Sequence, residues 1–187
     1  MAKLRKACAY RKIERPYTRK SKYRKKSFVR AVPNNLVVKY NHGDLKKQFE
    51  YVIEIKATKA LQIRHNAIEA ARKSANRVLE KATGKKGYML KIRIYPHHIL
   101  RENPLASGAG ADRMSTGMKC SFGKAIGLAA QVKPGQVLFE IQVDKQFLET
   151  GKAAGKRIGS KMPTKCKISI NNNPNFKVSE ETVAVEA

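Results

Sequence analysis

The sequence predicts one domain that mixes helices and strands, and three observations carry that reading. Apolar residues alternate with polar ones over Phe49, Tyr51, Ile53, Ile55 and Ala57, the period of a half-buried strand. Leu61, Ile68, Ala71, Ala75, Val78 and Leu79 then fall on one stripe at helical spacing. Finally, 187 residues with 42% hydrophobic content suffice for one sizeable core plus tails.

The elements follow in order. Residues 1–30 hold 13 Lys and Arg against a single acid, Glu14, with Tyr10, Tyr17, Tyr23 and Phe28 interleaved. Such a segment has too little apolar surface to offset its ordering entropy, which predicts an arm that orders on a polyanion. The helix carrying the stripe should end at Gly84 and Gly87. Tyr88, Leu90, Ile92 and Ile94 alternate against Met89, Lys91 and Arg93, a strand with one cationic face that stops or bulges at Pro96. Residues 101–118 show neither period and are crowded with small residues, predicting a long internal loop. The stretch from Phe122 to Val132 reads as a strand pair, and Lys133 to Gln136 as a turn with Pro134 and Gly135 at its centre. Val137, Phe139, Ile141 and Val143 alternate as a strand. A basic helix follows near 145–158, weakened by Gly151 and Gly155, and Lys165 to Ile170 is the last strand. The expected division is therefore an arm at 1–30, a domain at 31–173 and an acidic tail at 174–187.

Charge sets the class of partner. Forty Lys and Arg oppose 14 Asp and Glu, a formal net charge of +26, which points to a permanent polyanion. No run of about 18 apolar residues is present to cross a bilayer, and the N-terminus lacks a signal-peptide core, so a membrane partner and export are not expected. Cys8, Cys120 and Cys166 are far apart and form no C-x-x-C, which suggests reduced cytoplasmic thiols and neither a disulfide framework nor a zinc site.

Catalytic motifs fail on inspection. Gly117 to Ala125 imitates a phosphate loop but has five residues between its glycines and Ala125 where the Mg²⁺-binding hydroxyl belongs. Gly108-Ala-Gly110 lacks the third glycine of a dinucleotide fingerprint. His97 and His98 are adjacent, so in a strand they point to opposite faces and cannot easily share one ion; one should pack inward and the other face RNA or solvent. Cys120 has Lys119 beside it but no nearby histidine to act as its base. The sequence thus predicts no cofactor, no metal and no enzyme. An RNA-processing or RNA-modifying enzyme using residues 101–124 is the alternative, and a basic duplex-DNA binder is a third reading.

The more specific signal is the placement of cations on well-patterned elements. Arg11, Arg15, Arg19, Lys20, Lys22, Arg24, Lys25, Lys26 and Arg30 of the arm are predicted to neutralise RNA phosphates. Arg72 on the first helix, Lys91 and Arg93 on the strand after it, and Lys119 and Lys124 beyond the loop continue the pattern. Lys156 and Arg157 on the second helix and Lys165 at the last strand complete it.

Three short runs carry a resemblance to a known family: Ala109-Gly-Ala-Asp-Arg113, Thr116-Gly-Met118 and Phe122-Gly-Lys124. Arg15-Pro-Tyr17, Lys20-Ser-Lys-Tyr23, Arg30-Ala-Val-Pro33 and Ala67-Ile-Glu-Ala-Ala-Arg72 support them. Over roughly residues 8–171 the chain resembles the universal large-subunit ribosomal proteins called L-ten-e in archaea and eukaryotes and L-sixteen in bacteria. Its length and N-terminal arm are closer to the former branch, whereas residues 34–60 and the tail show little likeness. The resemblance implies an α+β fold of hammerhead type, mostly antiparallel, with two packed helices. It also implies large-subunit ribosomal RNA, tRNA and neighbouring ribosomal proteins as partners, a cytoplasmic ribosome as location, and no homo-oligomer. Through it, loop residues Arg101, Asp112, Arg113, Thr116, Gly117 and Met118 are expected to approach tRNA near the peptidyl transferase centre.

Overall fold

A computed structural model describes residues 5–6, 8–18, 23, 25, 29, 31–103, 117–174 and 176. Among these residues eight strands run β1 (Asn41–Gly43), β2 (Tyr51–Ala57), β3 (Leu61–Arg64), β4 (Tyr88–Ile92), β5 (His98–Glu102), β6 (Lys124–Val132), β7 (Val137–Val143) and β8 (Cys166–Asn172). The two α-helices among the described residues are α1 (His65–Thr83) and α2 (Leu148–Lys161). The strands form a five-stranded sheet in the order β1-β4-β7-β2-β8 and a three-stranded sheet in the order β3-β6-β5, and every pairing is antiparallel. This is an α+β fold, as the sequence predicts.

The alternation in β2 decides which face is core. Ile53, Ile55 and Ala57 are buried and Val52, Glu54 and Lys56 less so. The buried set meets Leu90 and Ile92 of β4 and Ile141 and Val143 of β7 in one cluster with Ile68, Ala71, Ala75 and Leu79 of α1 and Ala154 and Ile158 of α2. Both helices therefore cover one face of the large sheet and leave the other open. Leu61, Ile63, Ala130 and Val132 bring the small sheet into the same core, while Ile99, Leu128 and Val29 form a second cluster.

Gly151 and Gly155 explain how a weak helix former survives in α2. A Cβ on Gly151 would stand 2.5 Å from Cδ1 of Ile53, and one on Gly155 3.2 Å from Cδ1 of Ile168. The glycines cost helix propensity but let α2 lie directly on the sheet, where packing supplies most helical stability.

Several boundaries differ from the expectation. Leu61 lies in β3, opposite Val132 of β6, and α1 begins only at His65. Its agreement with the helical stripe is coincidental, because strand pairing buries it. Phe122 to Val132 is no strand pair: β6 is one nine-residue strand whose neighbours are β3 and β5. The turn after it is as read, with Gly135 at φ 78° and its N–H donating to Ala57. The second helix is preceded by a single 3-10 turn at Lys145–Phe147 and runs on to Lys161.

The arm also departs from the expectation of a segment that orders only on a polyanion. Gln62 donates from its backbone to the Arg11 carbonyl at 3.1 Å and from Nε2 to those of Tyr10 (3.2 Å) and Lys12 (2.6 Å). Gln131 donates to the Glu14 carbonyl at 2.7 Å and to Oε1 of Gln62 at 2.9 Å. Further along, the Tyr17 N–H donates to Nδ1 of His98 at 2.9 Å. Gln62 and His98 are each 2% exposed, so these buried polar groups are satisfied by the arm's backbone. Residues 10–17 are thus docked on the small sheet, and His98 is the inward histidine of the pair while His97 is exposed.

Candidate nucleic-acid interface

The described part of the arm presents Arg11 and Arg15 to solvent while its backbone is held by the sheet; Lys25 is also exposed. Arg19, Lys20, Lys22, Arg24, Lys26 and Arg30 lie outside the described residues, as do Asp112, Arg113, Thr116 and the acidic tail beyond residue 176.

The long loop is shorter than its sequence suggests. β5 continues through Arg101 and Glu102, and Gly117–Cys120 form a 3-10 turn, which leaves 104–116 outside the described residues. Both ends are fixed. Arg101 donates to the Phe122 carbonyl at 2.9 Å, and Asn103 to the Gly117 carbonyl at 3.1 Å. The Arg101 guanidinium carbon sits 3.7 Å from the Phe122 ring centre and 4.5 Å from that of Tyr17, whose own centres are 5.4 Å apart. Gly123 has φ 81°, and a Cβ there would meet the Glu102 backbone at 2.8 Å, so only glycine closes the loop's foot this tightly. Around that foot Met118 is 74% exposed and Lys119 and Lys124 are exposed, whereas Gly117 is half-buried.

Arg72 does not belong with the exposed cations. It is 9% exposed, and its Nε and Nη2 donate to the two Glu69 oxygens at 2.7 and 2.5 Å. Its Nη1 faces Nε2 of His42 at 3.0 Å; since a guanidinium only donates, that nitrogen accepts and the imidazole is neutral. Burial, reinforced by Arg72, lowers the His42 pKa. The hydrogen bonds from Arg72 hold the Glu69 carboxyl below its ordinary value. The cations on this helix that do face outward are Lys73, Arg77 and Lys81. They stand at i, i+4 and i+8 along one side of an open groove of about 470 Å³. Spacing alone makes that stripe visible in the sequence, although the predicted contacts omit it.

Lys91 and Arg93 project from the open face of the large sheet, in a different setting. Lys91 pairs in register with Glu140, which pairs with Glu54. Arg93 lies 3.5 Å from Glu140, and Lys56 2.7 Å from Glu54, so cations here already face carboxylates. On α2, Lys156 and Arg157 are exposed, as is Lys165 ahead of β8. Acids elsewhere are similarly engaged: Glu102 with Arg5, Asp144 with Lys47, and Glu149 with Lys152. Carboxylates tied to cations of their own chain leave the remaining Lys and Arg in large excess.

Comparison with known proteins identifies the scaffold that carries this excess. The family model described as ribosomal protein L16p/L10e matches residues 18–169. The chain belongs to this family. A large ribosomal subunit protein uL16 from Methanococcus maripaludis is 44% identical over 167 residues, covering 89% of this chain and 94% of that protein. The protein of the same name from Staphylothermus marinus is 44% identical over 153 residues, covering 82% and 84%. That from Archaeoglobus fulgidus is 42% identical over 161 residues, covering 86% and 89%. As a member of the L16p/L10e family, the chain is a ribosomal protein of the large-subunit type, a structural component and not an enzyme. The RNA-processing reading is therefore set aside. Family membership also gives the excess cations their context, a ribonucleoprotein particle.

Proposed function

We propose that the protein is held in the large ribosomal subunit of the cytoplasmic ribosome by phosphates of ribosomal RNA, gripped from several elements at once. Arg11 and Arg15 on the docked arm, Lys73, Arg77 and Lys81 on α1, Lys156 and Arg157 on α2, and Lys119 and Lys124 at the loop's foot are the contacts in the described residues. The observation that carries this reading is the internal engagement of the carboxylates, which leaves separate cationic surfaces on elements whose backbones are fixed. Phosphate contacts from rigid elements set register and orientation on folded RNA. The residues between Asn103 and Gly117, whose flanks are held by Arg101, Asn103 and Gly123, would contact tRNA at the aminoacyl site. There they would support positioning and perform no chemistry. The protein acts as a single copy among neighbouring ribosomal proteins.

The test is binding of the full chain to large-subunit RNA across a salt series. Neutralising Lys73, Arg77 and Lys81 to Gln together should flatten the log–log salt dependence by about 2 to 3, since each phosphate contact contributes roughly 0.7–0.9. An unchanged slope removes α1 from the interface, and an affinity independent of salt overturns the electrostatic account.

A further inference from the structure

The segment between β4 and β5 carries a different kind of contact surface. Burial alternates along it: Arg93, Tyr95 and His97 are exposed, whereas Ile94 and Pro96 are buried. Tyr95 is 60% exposed, yet it is not a loose side chain. Its ring stacks on that of Tyr40, with centres 5.7 Å apart and planes 27° from parallel. Tyr40 is fixed in turn. Its carbonyl accepts the Ile92 N–H at 2.8 Å, and its hydroxyl accepts from Asn35 Nδ2 at 2.7 Å. Asn35 is itself held, because its Oδ1 accepts the Val37 N–H at 3.0 Å. On the upper ring's own segment, His97 donates from Nδ1 to the Tyr95 carbonyl at 3.1 Å, since a carbonyl only accepts. One face of the Tyr95 ring is therefore taken by Tyr40. Among the described residues no other ring and no cation lies over it, and its outer face is open to water.

A ring held in place with one face open suits another flat π-system, and unpaired RNA bases are held on aromatic side chains in this way. Charge favours a base over an apolar protein surface. The Arg93 side chain, two residues before the ring, is 48% exposed with Glu140 3.5 Å away, and apolar side chains laid over it would strip its water without supplying a partner. Lys39, next to Tyr40, is exposed and has no carboxylate within 4.0 Å among the described residues, a cation left for a nucleotide's phosphate. We propose that Tyr95, backed by Tyr40, is a platform on which one unpaired base of ribosomal RNA stacks. The inference rests on the RNA reading above and adds a stacking contact to the phosphate contacts. Because every base has a π-face, the platform positions a nucleotide without reading its identity.

The sequence has no tryptophan, so Tyr95→Trp places a single indole at the site in the full chain. Titration with large-subunit RNA should quench most of its emission, and the bound indole should lose its access to acrylamide. Tyr95→Leu, which still covers Tyr40 but has no π-face, should weaken RNA binding roughly 5- to 100-fold. Its salt slope should stay unchanged, because no phosphate contact is lost. Tyr95→Phe should bind like the parent. Unchanged emission while RNA is bound overturns the platform and leaves the phosphate reading standing, as does equal affinity of the Tyr95→Leu variant and the parent. Emission that responds to a neighbouring ribosomal protein and not to RNA overturns it too, and makes the ring a protein contact. Loss of RNA binding by the unsubstituted chain would overturn both readings.

Discussion

Replacing Arg72 separates an internal strut from an RNA contact. The guanidinium holds both oxygens of Glu69 and the neutral His42 ring, and the Arg72 and Glu69 side chains are each 11% exposed. Arg72→Ala would strand the Glu69 carboxylate with Lys73, 3.6 Å away and mostly in solvent. Severing a buried ion pair costs about 3–5 kcal/mol, and the remaining lysine places the expectation near the low end, about 3 kcal/mol. At a urea sensitivity of about 2 kcal/mol per molar, the unfolding midpoint should fall by about 1.5 M. The double change Glu69→Leu with Arg72→Met removes both charges together and should return to within about 1 kcal/mol of the parent, because an apolar pair of similar volume needs no desolvation. Urea denaturation followed by circular dichroism, beside RNA binding by the same variants, gives the answer. The reasoning fails if Arg72→Ala leaves the midpoint unmoved but weakens RNA binding with a salt slope lower by about one, the signature of a lost phosphate contact.

Two further predictions concern packing and pH. Gly151→Ala should destabilise by about 1–3 kcal/mol through overpacking against Ile53 and Val143. Gly159→Ala on the same helix, where a Cβ meets nothing within 4 Å, should instead stabilise by up to about 1 kcal/mol; equal effects in urea titrations would contradict the close-approach account. His42, His65 and His98 all have pKa values lowered chiefly by burial, so the unfolded chain takes up protons first as pH drops below the ordinary 6.5. Stability should therefore decline below about pH 6.5 until the lowered folded values are passed. It should decline again below 4.5 as Glu69, depressed by its hydrogen bonds from Arg72, is protonated. A melting temperature that is flat from pH 7.5 to 4 would refute the assignment of these groups as buried and neutral or buried and paired.

What can be read from the sequence is what local periodicity encodes. β2, β4 and β7 follow from alternation, α1 from its stripe, and the turn at Pro134-Gly135 from its residues, since each signal lies within a few positions of the element. The docking of the arm has no such signal. Gln62, Gln131 and His98 look like ordinary polar residues, and their partners are backbone groups 50 to 117 positions away. The three-residue β1 is too short to carry a period, and Leu61 satisfies a helical pattern while belonging to a strand. Arg72 departs from its expected role for a different reason. Its place at the edge of the helical stripe suggests solvent, but Glu69 three positions earlier is a carboxylate within reach on the same face, and that i, i+3 pairing is legible.

The cations differ in what each already faces. On the open face of the large sheet, Glu54 and Glu140 stand opposite each other at the centre, so Lys56, Lys91 and Arg93 are needed there to offset like charges in neighbouring strands. Polar side chains add to that compensation, with Gln142 donating to Glu140 at 2.8 Å and Asn171 to Glu54 at 3.3 Å. A cation so committed gains less from a phosphate than one that faces only water, because part of its field is already neutralised. On the arm, α1 and α2 the backbone is held by buried glutamines or by sheet packing; Arg5, Lys73 and Lys152 there face Glu102, Glu69 and Glu149, whereas Arg77, Lys81, Lys156 and Arg157 have no carboxylate within 4.0 Å among the described residues. A net charge of +26 therefore describes two populations, one balancing the protein's own carboxylates and one left to bind an outside polyanion. The second population lies on elements packed on the sheets or hydrogen-bonded to them, an arrangement that lets phosphate contacts orient a protein on folded RNA.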